Sequence, residues 1–533
     1  MSSAHVVRFD NVAGESPMTT TSKARHWADV LADDIINQRG RRHVVNTGIT
    51  PSGEIHVGNM REVVTADAIH RVLAERGDES RLLYIADTYD PLRHVYPFLD
   101  PQRYRGEVGK PLSEIPCPCG QHPSYAEHFL APFLRSLERL GIFPTVHRAD
   151  QLYKAGVYND AIVTALQQCD QIRTILKEET GRDTPEDWSP FNPLCPACER
   201  ITQASVLGFS AEARTVDYAC GCGERGTVSM AGGGKLTWRV DWPVRWQIFG
   251  VTVEPFGKDH ASKGGSYDTG VRIAREVYGI EPPYPVPYEW LSLAGRGDMS
   301  SSKGNVLPIH AMLEVVPPEV LRYLILRVPP QRSIRMDPGL PLLQLIDEYD
   351  DVEAKSRDSR ALELSTISGV QPVGVPFRHM VTVVQAAQGD MDQGMEILRR
   401  NGYRLDNVDG LRQRAAYAQR WLATFAPEEL RFQIQGQLPP AAHGLTTEQK
   451  QALQLLGERL SAGMTGEQIH QLIYSLKDEL GAKPDLLFKA IYAVLLGKTQ
   501  GPRAGWFLST LDTTFVKQRF AEAAAIEGDD QCL

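Results

Sequence analysis

Two hydrophobic periods alternate along the first half of this chain. Apolar residues in "ARHWADVLADDIINQRG" recur at helical spacing and lead into "RHVVN" (42–46), a run that predicts a short buried strand. "MREVVTADAIHRVLAERG" returns to the helical period and stops at Gly77, and "SRLLYIAD" (80–87) predicts a second strand before the loop "TYDPLRHV". From about Tyr104 to Gly234 the pattern changes to cysteine pairs, prolines and one long helix, "VYNDAIVTALQQCDQIRTILKEETG". Strand-like "RWQIFGVTVEPFG" then resumes the first pattern. A helical stretch over 265–278 and a strand, "YEWLSLAG" (288–295), follow, with the loop "RGDMSSSKGN" behind the strand. Beyond Pro308 the period is almost entirely helical, with breaks at "LSTISGVQPVGVPFRH", near residue 372, and at "GQLPPAAHG" (436–444).

This order predicts a parallel-sheet α/β domain interrupted by an insertion and followed by an all-α region. A chain of 533 residues is too long for one core. The expected divisions are a loose tail at 1–24, the first half of the α/β domain at 25–104, the cysteine-bearing insertion at 105–234, its second half at 235–310, a helical linker region at 311–372, and a helical domain at 373–533. Hydrophobic content of 42% and charged content of 23% are those of a soluble globular protein. A formal charge of −9 argues against a protein that coats DNA or RNA indiscriminately, while leaving room for a local basic face. No run is long enough to span a membrane and no basic-then-apolar signal opens the chain, so a cytoplasmic protein is expected.

Chemistry concentrates in two loops. "TGITPSGEIHVGN" joins the first strand to the second helix and brings Gly53, His56, Gly58 and Asn59 together at a helix start, where unpaired N–H groups favour phosphate. Alone, this is equally a capped helix with an incidental histidine. The second loop, "DMSSSKGN", sets three hydroxyls and a lysine behind a strand, a composition suited to charge that grows on a departing pyrophosphate.

In this order the two loops resemble the HIGH and KMSKS signatures of class I aminoacyl-tRNA synthetases, with "HVGN" for the first and "MSSSKGN" for the second. Together with "WRVDWPVRW" and "EPFGKDHASKGGSYDTG", they are most similar to the class I lysyl-tRNA synthetases, and the resemblance covers nearly the whole chain after the tail. It departs from the general pattern at Asn59, where HIGH ends in histidine, and at Asp298 and Ser301, where KMSKS carries lysines.

The resemblance implies a Rossmann-like (HUP-type) catalytic domain, a zinc-bearing insertion that meets the tRNA acceptor stem, and a helical anticodon-binding region. It implies ATP, L-lysine and tRNA(Lys) as partners, with Mg²⁺ accompanying ATP. His56, Asn59 and Lys303 would be catalytic. Pro51, Gly53, His56, Gly58, Asn59, Met299, Ser300, Ser301, Ser302 and Lys303 would bind ATP, with Gly58 leaving room for adenosine. Gly48, Thr50, Trp238, Asp241 and His260 would surround lysine, an aromatic wall and a carboxylate both suiting its ammonium. Clustered tryptophans are also ordinary core residues, and that reading stays open.

Cys195 and Cys198 in "CPAC", with Cys220 and Cys222 in "CGC", are separated by a span fit for two strands and suit a four-sulfur zinc site. Cys117, Cys119, His122 and His128 offer a second, mixed set. The resemblance implies a metal in that segment, with a ligand where Gln121 stands here, which leaves two alternatives: Cys119 as its replacement, or an empty site. Both sites would be structural, since all four positions are filled. Cys169 and Cys532 are read as bystanders.

In the helical half, Arg399, Arg400, Arg404, Arg412, Arg414 and Arg420 crowd around Tyr403, Tyr417 and Trp421. This suits unstacked RNA bases, or equally a solvated helix face over an aromatic core. The rival functions are a glutamyl or glutaminyl synthetase, which would need an arginine in the substrate pocket, a small nucleotidylyltransferase, and a zinc-ribbon RNA-binding protein without ATP turnover.

Overall fold

The computed structural model describes residues 25–295, 299, 306–355 and 359–526. The tail 1–24, Ser300, Ser301, Ser302, Lys303 and Cys532 lie outside the described residues.

Helix α1 (Trp27–Arg39) leads into β1 (Arg42–Ile49), then α2 (Met60–Glu75) and β2 (Glu79–Ala86). The short α3 (Pro101–Tyr104) and α4 (Tyr125–Arg139) precede β3 (Thr145–Arg148), followed by α5 (Ala149–Lys154), α6 (Asn159–Gln167) and α7 (Cys169–Thr180). Five short strands come next: β4 (Phe191–Pro193), β5 (Ala204–Ser210), β6 (Thr215–Cys220), β7 (Arg225–Ser229) and β8 (Gly234–Leu236). The chain continues through α8 (Trp238–Phe249), β9 (Val253–Gly257), α9 (Ser266–Glu276), β10 (Tyr284–Tyr288) and β11 (Leu291–Leu293). Helices α10 (Ile309–Leu313) and α11 (Pro318–Leu326), strand β12 (Ile334–Met336) and α12 (Leu340–Ala354) lead into the helical remainder.

The central sheet has the order β10-β9-β1-β2-β3, parallel throughout. β1 is buried on both faces over 43–47, as a central parallel strand must be, and carries the polar His43, Asn46 and Thr47 among its apolar residues. From β1 the chain first builds outward through β2 and β3, then returns to the other side of β1 with β9 and β10. The strand order therefore reverses between β1 and β9. A crevice opens outside the carboxyl ends of strands at such a reversal, which is where α/β sheets bind ligands.

Four expectations need correction. The insertion 105–234 is not one block, because Thr145–Arg148 returns to the central sheet and pairs in parallel with Leu83–Ala86 of β2. The predicted single helix over 157–181 is two, broken at Gln168. The apolar run "RWQIFG" is helical rather than extended: Trp238, Trp242 and Trp246 stand four residues apart on α8, and Gly250, at φ 61°, ends it. The strand expected at 288–295 is split between the end of β10 and β11. β10, "YPVPY", escapes a propensity reading because of its two prolines, which are tolerated on the sheet's edge.

The body and the helical half share one apolar core. Arg322 of α11 ties the two together. Fully buried, it donates to Asp67 of α2 at 2.6 Å, to the Leu140 carbonyl at 3.1 Å and to the Leu364 carbonyl at 2.7 Å. Removing one member of a buried pair strands the other's charge. Arg322→Ala is expected to lower stability by about 3–5 kcal/mol, read from denaturant unfolding. A loss under ~1 kcal/mol would show that Arg71, which also reaches Asp67 at 2.8 Å, carries the pairing alone.

Candidate active site

The turn 50–59 leaves the carboxyl end of β1 and starts α2. Gly48, the penultimate residue before it, lies so close to β2 that a Cβ there would stand 2.9 Å from the Ile85 carbonyl oxygen. His56 is buried and accepts the Gly58 N–H through Nδ1 at 3.2 Å, which places its proton on Nε2. Gly58 permits this fold-back, since a Cβ would meet the ring at 2.8 Å. Burial lowers the His56 pKa to about 4, so the imidazole is neutral at physiological pH and acts as a hydrogen-bond donor rather than a cation. Asn59 caps α2, and its side-chain oxygen accepts the His56 backbone N–H at 3.2 Å. Pro51 and Gly53 are buried within the turn.

The segment behind the second loop locks onto this turn. His56 and Pro308 form an antiparallel bridge, flanked by Val57 N–H to the Leu307 carbonyl at 3.0 Å and Ile309 N–H to the Ile55 carbonyl at 3.2 Å. Met299 is half-buried against the main core.

Three carboxylates and two cations lie buried beside the carboxyl ends of β1 and β2. Arg245 pairs with Asp87 and Asp241, and Lys235 pairs with Asp90 while approaching Asp87 at 3.5 Å and Asp241 at 3.8 Å. Burial opposes the charge on Lys235, but Asp90, Asp241 and Asp87 outweigh it and hold the amine protonated. The group keeps one net negative charge. Its outermost member, Asp90, accepts the Thr50 hydroxyl at 3.0 Å. A hydroxyl that gives up its proton this way presents only lone pairs, so Thr50 is an acceptor for an ammonium.

Asp241 is not open to a ligand. It is fully buried, bound by Arg245 and by the Tyr153 hydroxyl at 2.5 Å, and it supports the cluster from behind. Trp238 and Trp242 stack at 5.3 Å, and His260 lies 6.0 Å and 5.4 Å from their respective rings. Of these three, Trp242 is buried, whereas Trp238 and His260 keep accessible edges.

Two further carboxylates, not singled out from the sequence, stand here with no ion-pair partner among the described residues. Glu62 of α2 accepts the Gly48 N–H at 2.9 Å and the Tyr288 hydroxyl at 2.7 Å, and desolvation raises its pKa to about 7. Glu254 of β9 accepts from Asn46 at 3.0 Å and from the Trp242 indole at 2.9 Å, and desolvation raises it to about 8. The only hint in the sequence is an acid in the first turn of α2, which is usually read as a helix-dipole partner.

Both cysteine-bearing groups converge. The ligand atoms of Cys117, Cys119, His122 and His128 lie within 4.8 Å of one another, as do those of Cys195, Cys198, Cys220 and Cys222. Sulfur–nitrogen separations in the first run from 3.3 to 3.6 Å, and the second has two sulfur pairs at 3.7 Å. A disulfide needs about 2.05 Å. Four donors around a metal at about 2.0–2.3 Å require edges near 3.3–3.8 Å, which fits both groups. As expected, two strands (β5 and β6) span the second set.

In the helical half the arginines and aromatics separate. Trp421 is buried with its indole on the Pro338 carbonyl at 2.9 Å, Tyr417 is buried, and Tyr403 packs on His379 at 5.1 Å. Arg414 is committed to Asp350, and Arg420 to Glu314 at 2.6 Å. Arg400 donates to the Thr510 carbonyl at 2.8 Å, and Arg399, Arg404 and Arg412 are exposed. These residues form a solvated face over an aromatic core. The accessible aromatics lie elsewhere: Tyr474 and half-buried Trp506 flank His470, with Lys477 over Tyr474 and Arg503 over Trp506.

Residues 25–371 match the family described as tRNA synthetases class I (K). Over 526 residues, 94% of this chain and 98% of its own, the lysine–tRNA ligase 1 of Methanosarcina acetivorans is 52% identical. The lysine–tRNA ligase of Archaeoglobus fulgidus is 49% identical over 93% of this chain and 100% of its own. That of Methanocaldococcus jannaschii is 42% identical over 93% and 99%.

The two uncompensated carboxyls set a pH dependence. Their folded pKa values are raised above the unfolded 4.5, so the folded form holds extra protons. The stability this confers is complete below about pH 4.5 and is lost as pH rises through about 7 to 8. Thermal midpoints should fall between pH 6 and 8.5, and Glu254→Gln should flatten the slope by on the order of 2 kcal/mol. A slope unchanged in that variant would mean Glu254 is ionised throughout.

Proposed function

The chain belongs to the class I tRNA synthetases designated (K), and on that premise we propose that it ligates L-lysine to tRNA(Lys) in the cytoplasm through a lysyl-adenylate. The lysine carboxylate attacks the α-phosphate of ATP and expels pyrophosphate. The 3′-terminal ribose of tRNA then takes the lysyl group and releases AMP. The carboxylate is already ionised, so the protein's contribution is alignment and charge neutralisation.

The observation that carries this reading is the bridge between His56 and Pro308, which joins the two signature loops. Lys303 precedes Pro308 by five residues in the sequence. One nucleotide can therefore be held from both loops, with neutral His56 donating from Nε2 and Lys303 meeting the pyrophosphate. Pro51, Gly53, Gly58, Asn59, Met299 and Ser300 to Ser302 complete the ATP site in this reading. Mg²⁺ enters with ATP and neutralises phosphate charge.

The arrangement favours a dication as substrate. We assign the α-ammonium to Thr50 and the net negative charge of the Asp87, Asp90 and Asp241 cluster, beside Gly48, and the ε-ammonium to Glu62 and Tyr288, walled by Trp238 and His260. Arg245, the arginine near this pocket, is neutralised by Asp87 and Asp241, which leaves it unavailable to a glutamate side chain. Zinc suits both four-ligand groups, which have no open position and so brace the region that meets the acceptor stem. The helical domain reads the anticodon in this account. Tyr474, His470 and Trp506, rather than Tyr403, Tyr417 and Trp421, offer bases a stacking surface.

The purified protein, with tRNA and ATP, is expected to charge tRNA with lysine and not with glutamate; the reverse would transfer it to the glutamyl rivals. Glu62→Gln should raise KM for lysine by about 10- to 100-fold, the worth of a charged hydrogen bond, and the wild-type KM should rise as pH falls below about 7, where Glu62 takes up its proton. An unaltered KM would remove Glu62 from the pocket. Lys303→Ala should slow adenylate formation far more than it weakens lysine binding. Elemental analysis is expected to find two zinc ions per chain, and one would restrict the metal to a single group.

A further inference from the structure

One side chain next to each cysteine-bearing group acts on residues Thr50 to Ser52 of the turn, Tyr125 directly and Lys235 through Asp90. His122 and His128 straddle the start of α4, whose first residue, Tyr125, is fully buried. Its hydroxyl donates to the Ser52 carbonyl at 2.7 Å, and its backbone N–H to the Ile115 carbonyl at 2.8 Å. On the other side, β8 pairs with β4, the strand that runs into Cys195, with Lys235 opposite Asn192. Lys235 holds Asp90, and Asp90 accepts from the Thr50 hydroxyl. Between these anchors, Ser52 N–H closes onto the Thr50 carbonyl at 2.8 Å.

We propose that Tyr125 and Lys235 are positioning residues that clamp Thr50 to Ser52 from both sides and so set the approach of the amino acid to the nucleotide. The proposal rests on the reading of this crevice as a lysine and ATP site. Neither residue touches a reacting atom. Tyr125 fixes the backbone ahead of Gly53 and His56, where the phosphates bind. Lys235 fixes the acceptor geometry of Thr50, because a freed Asp90 carboxylate can rotate away and let the hydroxyl turn its proton toward the substrate. The clamp also explains why two otherwise peripheral modules pack against the end of a central strand: each supplies a rigid base for one jaw. A turn rich in glycine and proline has few side-chain contacts of its own with which to hold a shape.

Tyr125→Phe keeps the ring and deletes the hydroxyl. On the full chain, it is expected to weaken ATP binding, measured by calorimetry with Mg²⁺, about fivefold, the worth of one hydrogen bond, with a thermal midpoint close to wild type. Lys235→Met should raise KM for lysine about tenfold and leave KM for tRNA unchanged, and Lys235→Arg should restore most of the loss. Lowered midpoints with unchanged ATP affinity and lysine KM per folded chain would make both residues purely structural and overturn the proposal. If Lys235→Met does not fold, the Arg variant and Tyr125→Phe still decide it. A wild type that fails to charge tRNA with lysine would sink the assigned function instead, while the calorimetric comparison of ATP binding would still test the clamp.

Discussion

Negative charge without a full set of partners, buried where β1 and β2 end, is the constraint around which the molecule is organised. Among the described residues, Asp87, Asp90 and Asp241 share two cations, Arg245 and Lys235. Burying such a group is costly unless every member is held, and unmatched charge in a low-dielectric crevice attracts a cationic ligand strongly. The members come from β2's trailing loop, from β8 and from α8, so the cluster exists only when the returning segments are seated against the first half of the sheet. Its formation and the closing of the substrate crevice are one event.

The second organising contact joins the two loops. Parallel sheets place their ligand crevice at a reversal of strand order, and here the reversal brings the turn after β1 against the segment that follows β11. Two backbone hydrogen bonds between 55–57 and 307–309 make the His56–Pro308 bridge and seat the segment behind the second loop on the first turn. Within the first turn, burial keeps His56 neutral, which leaves its Nε2 a hydrogen-bond donor without charge.

The first signature turn, both cysteine groups and the helical C-terminal half were legible in the sequence, because each is local: a turn flanked by two periods, thiols at short spacing, or a long run of helical period. Misreadings arose where two local signals competed. The three tryptophans of α8 mark a helix face by their spacing, yet the apolar run that follows them reads as a strand. β10 carries two prolines that only its edge position permits. The arginine-rich stretch around Trp421 left an RNA surface and a solvated face over an aromatic core equally open, because composition does not say which side of a helix faces in.

What the chain determined by itself was chemistry within short reach: the phosphate turn, the sulfur and imidazole ligand sets, and the order of its α/β units. Tertiary structure alone decided the substrate's electrostatic surroundings. Glu62 meets Tyr288 from 226 positions away, and Lys235 meets Asp90 from 145. Such pairs leave no local pattern, because burial and charge balance follow from which elements pack together. A carboxylate on a surface and one sealed beneath a turn are the same letter in a sequence, and only desolvation separates a solubilising side chain from a binding site.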